Sequence, residues 1–275
     1  MSTFDLISDI HLDFWVNRTW NWIQERKRIQ DFIEQLLPDN RSHTLVIAGD
    51  LGHYNQQNYK LLKALTEYYK HIIIVPGNHD YYLLTPSIQY KYAYNSLLRW
   101  QELKQLTRKQ LPSITFLDGD ITQIEGIAFG GCGMWYDFQY GIQILNQHYN
   151  RILEHWKINC NDAKWLKGTP RITRDMFAAE RKKLDRILVQ SDVIITHFSP
   201  DWSRAPDNRK LSLSTSYYYF DGAPILPLVS NKIWCFGHVH QRMDYQYHNC
   251  RFINASLGYP SENHNQPKHI VTVLL

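Results

Sequence analysis

The stretch Ile72-Ile73-Ile74-Val75-Pro76-Gly77-Asn78-His79-Asp80 decides how this chain is read. Its first four residues are a compact β-branched run, which favours a strand, and Pro-Gly stops that strand abruptly. Side chains with oxygen and nitrogen donors follow at once, so the strand delivers chemistry at its carboxyl end. Upstream, Thr44 to Ala48 is a second apolar run, ending in Gly49-Asp50, and Phe4 to Ser8 is a third, ending at Asp9-Ile10-His11. The segments between them read as helices. Ile23, Ile29, Phe32, Ile33 and Leu36 fall near one helical stripe between about Trp22 and Leu37, closed by Pro38, and a second helix runs from about Gln56 to Lys70. Strand, helix, strand, helix, strand predicts parallel pairing through right-handed crossovers, with three polar loops side by side at the carboxyl ends of neighbouring strands. Open α/β sheets bind ligands there.

Downstream, a helix is expected within Ser87 to Lys109, followed by β runs at Ile114 to Leu117, Ile121 to Ile124 and Ile127 to Gly130. Residues 135–175 read as an insertion with mixed helical character, either a cap or a layer packed outside the sheet. After a helix near Met176 to Leu188, the strand Val193 to Thr196 delivers His197. Residues 199–230 are rich in Pro, Gly and small polar residues and read as a long irregular connection, a common carrier of function. Lys232 to Phe236 leads into Gly237-His238-Val239-His240, and with Met243 to Tyr247, Arg251 to Ala255 and His269 to Leu275 it is expected to complete a second, meander-like group of strands. These elements give a layered α/β protein.

The chain has 275 residues, within the reach of one core, so a single domain over 1–275 with a cap-like insertion at about 135–175 is expected. Hydrophobic residues make up 44%, enough for a globular core, and no apolar run is long enough to cross a bilayer. No membrane partner is expected. The amino terminus lacks the basic and apolar regions of an export signal, and Cys132, Cys160, Cys235 and Cys250 have no disulfide or CxxC spacing. A reducing, cytoplasmic setting fits. The formal charge of +4 is too mild to demand nucleic acid or to exclude it.

Five short motifs thus stand in one order, each behind a strand: Asp9-Ile-His11, Gly49-Asp50, Gly77-Asn78-His79-Asp80, Thr196-His197 and Gly237-His238-Val239-His240. In Asp9-Ile-His11 and His238-Val239-His240 the alternation of an extended chain turns both donors to one side. A lone DxH or HxH is weak, since a buried histidine is more often a hydrogen-bonded core residue; all five together are a different matter. They resemble the calcineurin-like metallophosphoesterase superfamily over roughly residues 4 to 240. That resemblance implies two packed mixed β-sheets flanked by helices, a four-layer α/β/β/α sandwich. It also implies a dinuclear metal site in which Asp9, His11, Asp50 and His240 hold one divalent ion, and Asn78, His197, His238 and the shared Asp50 hold the other. The nitrogen and oxygen donors admit Mn, Fe, Zn, Co or Ni, and family analogy favours Mn.

The resemblance further implies phosphoesterase chemistry, with attack by a metal-bridging hydroxide and with His79 as the catalytic histidine that protonates the leaving oxygen. Asp80 is read as structural. The protein Ser/Thr phosphatases of the superfamily carry GDxxDRG and usually GNHE; here His53 and Tyr54 replace Asp and Arg, and Asp80 replaces Glu. Gly49-Asp50-Leu51-Gly52-His53 is instead similar to the SbcD-type nucleases, which makes His53 a second candidate catalytic residue, for phosphate binding or leaving-group protonation, against a structural role. A phosphodiesterase acting on a nucleotide, cyclic nucleotide or nucleic acid is the leading expectation. The alternatives are a phosphomonoesterase, protein phosphatase included, and a non-catalytic scaffold that binds a protein. Arg204, Arg209 and Lys210 are candidates for a second phosphate, and Trp135, Tyr136 and Tyr217 to Phe220 for stacking on a base, each against a plain solvated or packing role.

Overall fold

The computed structural model of the chain describes residues 2–168, 174–262 and 269–275. Strands β1 (Thr3–Ile7), β2 (Thr44–Ala48) and β3 (His71–Val75) lie side by side and parallel, with β4 (Ile114–Phe116) parallel beyond β3. The connections supply α1 (Leu12–Trp15), α2 (Trp22–Leu36), α3 (Asn55–Leu65), α4 (Pro86–Lys91) and α5 (Ser96–Arg108). Asn21 caps α2 by accepting from the amides of Ile23 and Gln24, and Thr85 caps α4 by accepting from Ile88. The helix expected over Ser87 to Lys109 is therefore two, broken where Ala93 and Tyr94 adopt left-handed backbone.

The second sheet contains β5 (Asp120–Ile124), β6 (Ile127–Gly131), β7 (Val193–Ile195), β8 (Ile233–Phe236), β9 (Met243–Tyr247) and β10 (Cys250–Asn254), in the order β5-β6-β7-β8-β10-β9. Between β6 and β7 lie α6 (Tyr149–Asn159), α7 (Asn161–Trp165) and α8 (Arg174–Ile187). The expected meander is corrected here. β6, β7, β8 and β10 are parallel, and the last strand, β11 (Val271–Leu274), leaves this sheet to pair antiparallel with β1. Apolar alternation explains the move: Val273 points into the layer between the sheets beside Phe4, Leu6 and Ile253.

The layer order follows from side-chain alternation. On β2, Val46 and Ala48 join Ile73 and Val75 of β3 in the apolar layer shared with Phe129, Val193, Ile195 and Cys235 of the other sheet. Leu45, Ile47, Ile72 and Ile74 turn the other way, into the cluster that contains Ile29, Ile33, Leu61, Leu62 and Leu103 of the helices. Across the second sheet, Ile194, Trp234 and Phe252 face outward, with Phe220 of the 199–230 connection beside Trp234. Two mixed sheets flanked by helices result, as the family resemblance implied. Residues 169–173 of the insertion lie outside the described residues. The rest of it packs on the body, with Trp135, Phe138, Ile152 and Trp156 buried in the main apolar cluster. Among the described residues, no helix is long and apolar enough to cross a membrane.

Candidate functional site

Five strands, β1, β2 and β3 of one sheet and β7 and β8 of the other, end at one edge of the sandwich and release the five motifs there. Their backbone turns sharply. Asp9 (φ 52°), His11 (45°), Asp50 (60°), His238 (67°) and His240 (51°) are all left-handed, a conformation that costs on the order of 1–3 kcal/mol each for residues with a Cβ. Such strain persists only where surrounding contacts impose it. Two glycines make room: a Cβ on Gly49 would fall on the His197 ring, and one on Gly77 would fall on the Asp50 carboxylate.

The donors converge in three groups, each with ligand atoms within 4.8 Å of one another: Asp9, His11 and His240; Asp9, Asp50 and His197; and His11, Asp50 and His79. His197 Nε2 is 3.3 Å from Asp50 Oδ2 and 3.1 Å from Asn78 Oδ1, and His240 Nε2 is 3.4 Å from Asp9 Oδ1. His238 sits at the margin. Its ring is beside that of His197, with centroids 5.2 Å apart, but its Nε2 faces the Tyr217 carbonyl at 3.3 Å, and it joins none of the three groups. His79 does join one, although the resemblance gives it no metal.

Outer contacts orient these donors. His197 Nδ1 meets the Ala48 carbonyl at 2.9 Å, and His240 Nδ1 meets Glu262 at 2.6 Å, so in each imidazole Nε2 is the nitrogen turned toward the carboxylates of the cluster. The amide of Asn78 donates to Tyr82 Oη (2.9 Å) and Asp162 Oδ1 (2.8 Å), which fixes its oxygen toward His197. Asp162 comes from α7 of the insertion and is itself satisfied by Tyr82 and Tyr136. Asp80 accepts from the amides of Gly77, Asp50 and Leu51, tying two of the loops together, and burial with the nearby Asp50 charge raises its carboxyl to about 6. Buried Arg99 of α5 donates to the carbonyls of His79 and Gly52.

The charges of the cluster are opposed by burial and sustained by one another. Burial opposes ionised Asp9 and Asp50, yet the neighbouring imidazoles hold both carboxyls well below their ordinary range. Burial likewise opposes a charged His197 and His240, yet the carboxylates lift them to about 9 and about 10, while burial lowers His11 to about 4 and His238 to about 3. The fit to a metal is shown by Asp50 Oδ2 and His11 Nδ1. Both are buried and neither has a hydrogen-bond partner among the described residues. A buried carboxylate oxygen that faces imidazoles without a hydrogen bond is under-satisfied, a cost that a coordinated cation would remove.

Beside the cluster, Asp13 of α1 accepts from His53 twice, at the backbone N (2.9 Å) and at Nδ1 (2.8 Å), and His53 Nε2 contacts His79 Nδ1 at 2.8 Å. Both ring nitrogens of His53 are thus engaged by protein. A cavity of about 180 Å³ lies over the donors, lined by Asp50, Asn78, His79, His238, His240 and residues 159–162, with Arg209, Tyr217, Tyr218 and Tyr259 at its outer side; His53 does not line it. A larger apolar cavity of about 450 Å³ between Phe138, Tyr149 and Phe177 holds none of the cluster residues. Trp135 and Tyr136 are buried, as are Tyr217, Tyr219 and Phe220, so of the aromatic candidates Tyr218 is the one left partly open. Asp13, Asp162, Glu262 and Arg99 went unnoticed in the sequence. Each acts on the cluster from an element or loop that no motif marks.

Residues 2–242 match a protein-family model described as calcineurin-like phosphoesterase. An uncharacterized protein of Acanthamoeba polyphaga mimivirus is 23% identical over 277 residues, covering 94% of this chain and 92% of the relative. The crystal structure of a phosphopantetheinyl hydrolase from Mycobacterium tuberculosis superposes with a TM-score of 0.71 at 18% identity, covering 99% of this chain and 96% of that one. That likeness is one of fold.

Proposed function

The chain belongs to the calcineurin-like phosphoesterase family, and from that premise we propose that it is a dinuclear metal-dependent phosphodiesterase acting on a nucleotide, cyclic nucleotide or nucleic-acid phosphodiester. Membership makes it a metal-dependent phosphoric ester hydrolase. In the proposed assignment Asp9, His11, Asp50 and His240 hold one cation, and Asn78, His197, His238 and the shared Asp50 hold the other, with manganese as the activating metal. The observation that carries this reading is the buried Asp50 Oδ2, which has no hydrogen bond of its own and stands between two imidazoles, 3.3 Å from His197 Nε2 and 3.7 Å from His11 Nε2. A carboxylate shared between two cations would sit in that way.

When bound, the cation pair supplies polarisation of the phosphoryl oxygens and a water activated for attack. The remaining work falls to the chain. Carboxylate Asp13 accepts from His53 Nδ1, which leaves His53 Nε2 to accept from His79 Nδ1 and turns His79 Nε2 toward the cavity. Burial disfavours a charged His79, so with Nδ1–H given to His53 its Nε2 holds a lone pair; a proton taken up there from water can pass to the leaving oxygen, the transient charge being offset through His53 to Asp13. His79 is therefore the proposed catalytic residue and His53 a positioning residue behind it. A diester is favoured over a monoester because Arg209 is the sole Lys or Arg among the residues lining the cavity, whereas a monoester brings a second negative charge to the reacting phosphorus. The full-length likeness to the mycobacterial hydrolase favours a second reading, a phosphopantetheinyl substrate.

The test is hydrolysis of bis-p-nitrophenyl phosphate and p-nitrophenyl phosphate by metal-stripped protein reloaded with manganese, beside Asp50→Asn. We expect faster diester cleavage, reduced at least about 100-fold in the variant. A monoester preference would make the protein a phosphomonoesterase, and failure to take up metal would leave a binding scaffold.

A further inference from the structure

Of the three basic residues that the 199–230 connection offers, Arg209 is the one that lines the cavity over the donor cluster. Lys210 pairs with Asp207 at 2.6 Å, and Arg204 lies over the Tyr245 ring at 4.8 Å, outside the cavity that covers the donor cluster. Arg209 differs from both. Its guanidinium makes no ion pair among the described residues, is solvent-exposed, and lies 5.3 Å from the centre of the Tyr218 ring. Tyr218 in turn packs against the ring of His238, with centroids 4.9 Å apart. The backbone beneath is pinned: Arg209 N donates to the Pro206 carbonyl at 2.8 Å, and the Arg209 carbonyl accepts from Thr215 Oγ1 at 2.6 Å. A cation held by its loop and braced on an aromatic ring loses less freedom on meeting an anion than a free surface arginine does. The other charged group at this rim, Glu262, is engaged by His240.

Size sets the second constraint. A cavity of about 180 Å³ is smaller than the ~300–1,000 Å³ that encloses a whole small-molecule ligand, so it takes the reacting phosphoryl group and leaves the rest of the substrate at the rim, where Arg209 stands. We propose that Arg209 is the receptor for a second phosphate of the substrate, so that the enzyme selects phosphodiesters bearing a further phosphoryl group beside the scissile one. This rests on the phosphodiesterase reading above. The planar fork of a guanidinium matches two phosphate oxygens, which a lysine in the same place reproduces only as a point charge.

The test compares thymidine 5′-(p-nitrophenyl phosphate) with the same ester carrying a 3′-phosphate, in the manganese-loaded wild type, Arg209→Ala, Arg209→Lys and Lys210→Ala. The wild type should favour the 3′-phosphorylated ester in kcat/KM. Arg209→Ala should cut that preference about tenfold, Arg209→Lys should keep part of it, and Lys210→Ala should keep it all. In parallel, calorimetric binding of thymidine 3′,5′-bisphosphate against thymidine 5′-monophosphate should show the same Arg209-dependent preference without any turnover. A preference unchanged in Arg209→Ala, or absent from the wild type in binding, overturns the receptor. If neither ester is cleaved but the bisphosphate preference in binding depends on Arg209, the receptor stands and the phosphodiesterase reading falls.

Discussion

Asp13, His53 and His79 form one hydrogen-bonded chain, and its effect should depend on how much help the leaving group needs. A nitrophenolate departs unprotonated, whereas an alkoxide must receive a proton. Asp13→Ala is therefore expected to lower turnover on alkyl phosphodiesters by about 100-fold, toward the lower end of general-acid effects, and to leave p-nitrophenyl esters within a few-fold, at unchanged metal content. Equal losses on both kinds of ester, read by steady-state rates beside metal analysis, would remove the acid role from this chain. The seven ligand candidates and His79 were legible as residues because each follows a strand within two to four positions. Their partners were not. Asp162 reaches Asn78 across 84 residues and Glu262 reaches His240 across 22, and nothing local in either stretch marks a contact that only the fold creates.

Strand ends govern the site at the next scale. β2 and β3 are parallel in a register that pairs Ala48 with Val75, so Asp50 and Gly77 emerge side by side, and the absent side chain of Gly77 is the space that the Asp50 carboxylate fills. Gly77→Ala should displace that carboxylate or the loop. We expect loss of bound metal and a stability loss of about 1–3 kcal/mol, measured by metal analysis of the purified variant and by urea unfolding. Wild-type metal content in a folded Gly77→Ala protein would contradict the packing described. The parallel β1-β2-β3 unit was legible because helical stripes alternate with β-branched runs. The fate of β11 was not, since a short apolar run carries no sign of which sheet edge it joins. Helix α1 was missed for a related reason: four residues offer no period to read.

Across the whole molecule, the donor cluster joins both sheets: Asp9, Asp50 and Asn78 come from one, His197 and His240 from the other. Bound cations should therefore strengthen the sandwich as well as the chemistry. Chelation is expected to lower the unfolding midpoint by on the order of 5–10 °C, reversed by adding manganese back, and Asp50→Asn should abolish the difference; scanning calorimetry reads all three. A midpoint indifferent to chelator would mean that the donor edge is held without the ions. The pairing of β1 with β11 carries a consequence for synthesis. Thr3 lies opposite Leu274, so the free edge of β1, with Phe4 and Leu6 on it, waits for its neighbour while the residues between the two strands are synthesised. At about 5–20 residues per second that delay is on the order of tens of seconds, during which an unpaired apolar strand beside a half-assembled metal site is open to nascent-chain chaperones and to neighbouring polysomal chains.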